Sequence, residues 1–239
     1  MAAILPEEVR TAAHLRTLFP PAVGIGCVAI GSHHDGLWAD EVAAVRFASP
    51  KRRTEFVAGR SAARAAMQGL GLPAVALPRL PDGRPDWPAG VVGSISHTDE
   101  LCAAAVANDA ALIDLGLDIE AADPFDQDLI PLVCLPAEIA AIASWRSSTD
   151  LAKIIFSAKE AFYKCVYPSL QTFLDFNAVK IDVTCRPCGR AGSFSAQLLS
   201  PILEARIAPH VFVGRWMSLQ HHVACGAALV RAGLYRSAI

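Results

Sequence analysis

Several absences narrow what this chain can be. No apolar run in the 239 residues reaches the ~20 that a membrane span requires. The opening "MAAILPEEVR" carries an acidic pair where a secretory leader needs a long apolar segment. A cytoplasmic protein with no membrane partner is therefore expected. Basic charge is not in excess. The formal net charge of −2 argues against broad nucleic-acid binding, so any basic surface must be local. Phosphate loops of the GxxxxGK-S/T and GxGxxG forms are missing, as is a GxSxG nucleophile elbow. An enzyme built on this sequence is expected to supply no covalent nucleophile of its own. The seven cysteines are scattered and odd in number, so they cannot all pair within the chain, and a reduced compartment fits. The single CxxC, Cys185 to Cys188, has no convincingly spaced second ligand pair for zinc. A turn between strands is its plain reading.

What is present is apolar bulk: 53% hydrophobic residues, enough for a sizeable core in one large domain or two compact halves. "AVGIGCVAIG" (22–31) reads as a buried strand. Residues 49–71 read as a helix with Ser49 as N-cap, Pro50 at the first position, and Gly69 or Gly71 at the end. A turn-rich loop (80–90) leads to the strands "VVGSISHT" and "LCAAAVA", and after Asn108-Asp109 to "ALIDLGLDIE". "AADPFDQDLIP" reads as an acidic loop. Two helices follow, over 136–145 and 148–170, the second ended by Pro168. Beyond Phe173, four alternating runs read as strands of an antiparallel sheet. Each half closes on a small-residue strand, "LCAAAVA" or "VACGAALV". Two α+β halves are expected.

Three stretches could converge on one site. In "LGLDIE", strand alternation puts Asp118 and Glu120 on one face, about 6.6 Å apart. They are either solvated or bridged to an arginine at a strand end, or they hold a hard divalent cation such as magnesium. In "FSAKEAFYK", helical spacing puts Ser157, Glu160 and Lys164 on one face, flanked by Lys159 and Tyr163. Glu160–Lys164 reads as an ordinary helix ion pair. It reads equally as a third carboxylate able to serve as general base, with two lysines facing phosphate oxygens. Arg53, Arg60 and Arg64 form one stripe of the first helix. Lys51 and Arg52 sit at its start against the helix-dipole preference, which calls for an anion or a neighbouring acid. "GSISHT" adds Ser94, Ser96, His97 and Thr98, small donors suited to phosphate oxygens. Together the stretches describe a substrate with several phosphates, a magnesium ion and a nearby base.

"LGLDIE" followed about forty residues later by "FSAKEAFYK", with "GSISHT" upstream and "RRTEFVAGRSAAR" and "GRPDWPAGVVGSISH" before it, resembles the 4′-phosphopantetheinyl transferases. The closer likeness is to the type serving siderophore, polyketide and nonribosomal peptide synthases. The resemblance implies an α+β fold of two similar subdomains in a pseudo-twofold relation, each a small mainly antiparallel sheet packed with helices. Their bounds would be 1–110 and 111–239, with coenzyme A between them. It implies magnesium-dependent transfer of the phosphopantetheine arm of coenzyme A to a serine of an apo carrier protein, releasing adenosine 3′,5′-bisphosphate. By position, Asp118, Glu120 and Glu160 would hold magnesium, and Asp118, Glu160 and Lys164 would be catalytic. Glu160 would be the base, and Lys164 would stabilise or protonate the leaving phosphate. Lys159 would contact the pyrophosphate. Ser96 and His97 would meet the nucleotide phosphates, Arg53 and Arg60 the 3′-phosphate, and Tyr163 would line the arm's channel. A basic residue often precedes "G.P.WP" in this family, where Asp82 stands here; the neighbouring Arg84 is the contact expected instead.

A pocket made within one chain needs no partner subunit, so a monomer is expected. Two other readings fit the same residues: a non-catalytic coenzyme A binding module, and a magnesium-dependent phosphohydrolase using water as nucleophile.

Overall fold

The computed structural model describes residues 6–32 and 36–232. Its helices are α1 (Glu7–Arg16), α2 (Pro50–Gly69), α3 (Ile130–Val133), α4 (Pro136–Ser144), α5 (Leu151–Leu170) and α6 (Pro201–Ile207). Its strands are β1 (Gly24–Ala29), β2 (Val91–His97), β3 (Leu101–Asn108), β4 (Asp114–Ala121), β5 (Val179–Cys185), β6 (Ala191–Leu198), β7 (His210–Ser218) and β8 (His222–Arg231). They form two antiparallel sheets, ordered β1-β3-β2 and β4-β8-β7-β6-β5, packed against helices, so the fold is α+β.

Helix α2 begins as its sequence dictates. The Ser49 hydroxyl accepts the Arg52 amide at 3.2 Å, and Pro50 takes the first position, where a missing N–H costs nothing. It lies on the three-stranded sheet, and α5 lies on the five-stranded one. Both crossings are close because a glycine faces the helix. A Cβ at Gly26 would fall on the carbonyl of Ala62, and one at Gly116 on that of Ala161. The opposite faces of both sheets share a further core with Leu15, Leu18 and Phe19. This explains why β3 and β8 read as unbroken apolar runs: each is covered on both sides.

Several elements depart from expectation. Pro168 lies inside α5 rather than ending it. So near the C-terminus its missing N–H removes one bond, and the helix runs on to Leu170 before Gln171 turns left-handed (φ 50°). The acidic loop contains a 3-10 turn (Gln127–Leu129) and the short α3. The segment between β6 and β7 holds α6, started by Pro201 and tied by Glu204, whose carboxylate accepts the Leu198 amide. Cys185 and Cys188 flank an exposed turn closed by the Gly189 amide on the Arg186 carbonyl, and all seven cysteines are free thiols.

The two sheets meet at their edge strands, β2 and β4, which run in the same sense. Side chains make the join. The Ser94 hydroxyl accepts the Leu117 amide at 3.0 Å, and the Ser96 hydroxyl accepts the Ile119 amide at 3.2 Å. Two edges that would otherwise expose bare ladder groups are thereby satisfied by hydroxyls. The functional residues gather along this seam.

Candidate active site

Asp118 lies where β4 passes beneath α5, and it is 3% exposed. One oxygen, Oδ1, accepts from Lys164 Nζ at 2.6 Å and from the Ser96 hydroxyl at 3.1 Å. The other, Oδ2, is buried with no hydrogen-bond partner among the described residues. A buried carboxylate oxygen left bare is costly unless something positive reaches it. Lys164 also points at Ser96 Oγ and the Leu117 carbonyl, both at 3.3 Å. Glu120 follows on the same strand face and is half-buried. Burial raises its pKa, and the Asp118 charge raises it further; Lys153 and Lys164 pull the other way. Burial also raises Glu160, with Lys164 opposing and Asp118 adding to the rise. The three acids therefore share one electrostatic neighbourhood. Among the described residues no three His, Cys, Asp or Glu groups close into a ready metal cage.

At the far end of β2, His97 carries Arg52: Arg52 Nη1 donates to His97 Nε2 at 3.2 Å and to Glu55 Oε2 at 3.2 Å. Lys51 pairs with Asp99 at 2.8 Å across open surface. Neighbouring acids thus offset the basic start of α2. Arg53 is exposed beside them. At the opposite end of the seam a cavity of about 550 Å³ opens between the halves, its wall including Arg84, Trp87, Asp114, Tyr163, Lys164 and Tyr167. Arg84 is held there by Asp82 at 2.8 Å and lies over the Tyr167 ring at 5.2 Å.

The family profile described as the 4′-phosphopantetheinyl transferase N-terminal domain matches residues 40–107. That of the 4′-phosphopantetheinyl transferase superfamily matches residues 114–205. The chain is 39% identical over 187 residues to 4′-phosphopantetheinyl transferase Svp of Streptomyces mobaraensis, covering 75% of this chain and 73% of that protein. The chain belongs to the 4′-phosphopantetheinyl transferase family. It is also 33% identical over 150 residues to 4′-phosphopantetheinyl transferase PptT of Mycobacterium tuberculosis (62% of this chain, 66% of that one). Enterobactin synthase component D of Escherichia coli K12 is 35% identical over 152 residues (61% and 70%). As a 4′-phosphopantetheinyl transferase, the chain is an enzyme that moves phosphopantetheine to carrier proteins.

Within the transferase, Ser96, Asp118 and Lys164 come into direct contact, with Glu120 and Glu160 beside them. Two expected contacts go elsewhere. Lys159 is 2% exposed and spends its three donors, all at 2.8 Å, on the Val133 carbonyl, Glu138 and the Phe176 carbonyl. One position before Glu160, it points about 100° away around the helix, into the core rather than toward a pyrophosphate. Arg60 is 5% exposed. Its Nε donates to the Leu77 carbonyl at 2.6 Å, and its guanidinium lies over the Phe56 ring at 4.1 Å. It holds the chain leading to loop 80–90 rather than facing the surface beside Arg53. Arg64 on the same stripe is likewise turned inward, onto Glu41 at 2.7 Å. Asp114 and Lys153 also border the site and belong to neither acid motif; the alternation that pairs Asp118 with Glu120 extends back to Asp114 and is the signal for it.

Proposed function

We propose that the enzyme transfers the phosphopantetheine arm of coenzyme A, with magnesium, to a serine hydroxyl of an apo acyl, aryl or peptidyl carrier protein, releasing adenosine 3′,5′-bisphosphate. The reaction site lies between the halves 1–110 and 111–239. One observation carries this reading: Asp118 keeps a buried oxygen with no hydrogen-bond partner among the described residues, while burial raises the pKa of both Glu120 and Glu160 nearby and the Asp118 charge adds to each rise. An acidic pocket of that kind fits a hard divalent cation. Asp118, Glu120 and Glu160 would hold magnesium, which when bound offsets charge on the diphosphate.

The chain's own groups supply the rest. Glu160, its pKa raised by burial, takes the proton from the carrier serine as the serine oxygen attacks the phosphorus bearing the arm. The bond from that phosphorus to the oxygen of the nucleotide phosphate breaks. Lys164, held at the cavity wall by Asp118, faces the charge that develops there. His97 with Arg52, and the exposed Arg53, receive the nucleotide's phosphates. Tyr163 and Arg84 line the cavity for the arm. No residue here needs to be a covalent nucleophile, because the carrier brings the hydroxyl.

The test is to incubate the enzyme with coenzyme A, magnesium and a panel of apo acyl, aryl and peptidyl carriers, then weigh each carrier. A gain of one phosphopantetheine is expected. Glu160→Gln and Asp118→Asn should each lower the rate by about 10²–10⁴ without unfolding the protein. Full activity in both variants would reject the assigned acids. Adenosine bisphosphate released without a carrier would point to hydrolysis instead. Tight coenzyme A binding with no carrier modified would point to a binding module.

A further inference from the structure

One carboxyl beside the site has no role in the scheme above. Asp114 opens β4, four residues before Asp118 and on the same α5-facing side. It is 6% exposed and forms part of the cavity wall. Its Oδ1 accepts the Leu115 amide at 2.9 Å, and its second oxygen has no partner among the described residues. Burial pushes its pKa up to about 7, opposed by the charge of Arg84. Neither cation of the wall pairs with it: Arg84 is committed to Asp82, and Lys164 to Asp118. Most other wall groups are apolar or aromatic, among them Leu80, Trp87, Val91 and Tyr167. A nearly buried acid on a largely apolar wall, with one oxygen turned to the cavity and unused by the protein, is placed to bond to an occupant.

The layout of the seam says what that occupant is. β2 runs from Val91 at the cavity to His97 at the basic cluster, and β4 runs beside it from Asp114 to Glu120. A diphosphate lying over Asp118 and Lys164 would send its nucleotide toward His97, Arg52 and Arg53, where the cations are. Whatever hangs from its other end runs toward Asp114, about 13 Å along the strand.

We propose that Asp114 is a specificity-determining residue whose carboxyl hydrogen-bonds the amide and hydroxyl groups of the pantetheine arm inside this cavity. The assignment rests on the coenzyme A reading above. It makes the enzyme a reader of the arm's polar groups as well as of the nucleotide's phosphates.

Calorimetry on the full chain tests it with two ligands. Coenzyme A has the arm; adenosine 3′,5′-bisphosphate lacks it. Asp114→Leu should weaken coenzyme A binding about tenfold or more while leaving the bisphosphate unchanged. Asp114→Asn, which keeps an acceptor and a donor, should lose far less. An analogue with an ester in place of an arm amide should bind wild type more weakly than coenzyme A does, and Asp114→Leu should no longer tell the two apart. Unchanged bisphosphate binding also certifies that the Leu variant is folded. Asp114→Leu binding coenzyme A as tightly as wild type, or losing both ligands in parallel, would overturn the assignment. If wild type bound neither ligand, the coenzyme A reading itself would fall first.

Discussion

Glu41 in the N-terminal half and Glu138 in the C-terminal half do the same structural work. Each is essentially buried and is the third residue of a short helix, the 3-10 helix Ala39–Val45 for Glu41 and α4 for Glu138. Each accepts the amide that starts its own helix: Trp38 at 3.0 Å, Leu135 at 2.6 Å. Each takes a cation from the long helix of its half, Arg64 at 2.7 Å or Lys159 at 2.8 Å. Each also fixes an amide farther along the chain, Leu77 at 2.9 Å or Ile181 at 2.7 Å. Where the halves differ is in what the remaining charges do. The shifted acids of the first half, Asp82 and Asp99, have lowered pKa values, held down by hydrogen bonds from Arg84 and Lys51. Those of the second, Asp114, Glu120 and Glu160, are all pushed up by burial. A shared scaffold device thus carries a half that presents cations and a half that concentrates unneutralised acid.

The largest effect should come from breaking the shared device. Glu41→Ala and Glu138→Ala should each cost about 3–5 kcal/mol, since either leaves a buried cation unpaired; urea unfolding measures it. A large loss in only one half would end the parallel. Lys159→Met should lower stability comparably, yet leave the KM for coenzyme A unchanged wherever the variant is folded. A raised KM would return Lys159 to the phosphates.

The contrast in acids makes a pH prediction of intermediate size. The native state holds Asp114 near pKa 7 against an ordinary 3.8, so between those values it binds more protons than the unfolded chain. The stability Asp114 contributes is complete below its ordinary value and is lost as pH rises through about 7, by up to about 1.4 kcal/mol per pH unit. Asp114→Asn should flatten that slope in thermal melts followed across the range. An unchanged slope would place the titration on other groups.

The smallest effect should separate two arginines of one helix. Arg53→Ala should weaken coenzyme A binding by about tenfold, or ~1.4 kcal/mol, with no change in melting temperature. Arg60→Met should do the reverse, because its guanidinium is bound to the Leu77 carbonyl. Equal losses of binding in both variants would show that Arg60 reaches a phosphate after all.

The strands and long helices were legible because their signals are local. Ser49-Pro50 starts α2, and Asn108-Asp109 breaks β3 from β4. The acids were legible as a shared strand face and a shared helix face. Nearness to a motif in the chain does not make a cation available to a ligand. Lys159 lies beside Glu160 in the chain, and Arg60 lies on the stripe of Arg53, but burial reassigns both. Helical spacing says which side chains share a face, and it is silent on whether that face meets solvent, core or cofactor.

By itself, then, the amino-acid order determined the start of α2, the alternating strands, and the chemistry of the two acid-bearing stretches. Only the tertiary structure decided which charges remain free for a substrate. Glu41 and Glu138 draw Arg64 and Lys159 into the core, while Ser94 and Ser96 bring β2 against β4 and set Lys164 on Asp118. The reason is that the cost of an unpaired buried charge depends on what folds over it, and residues far apart in the chain settle that.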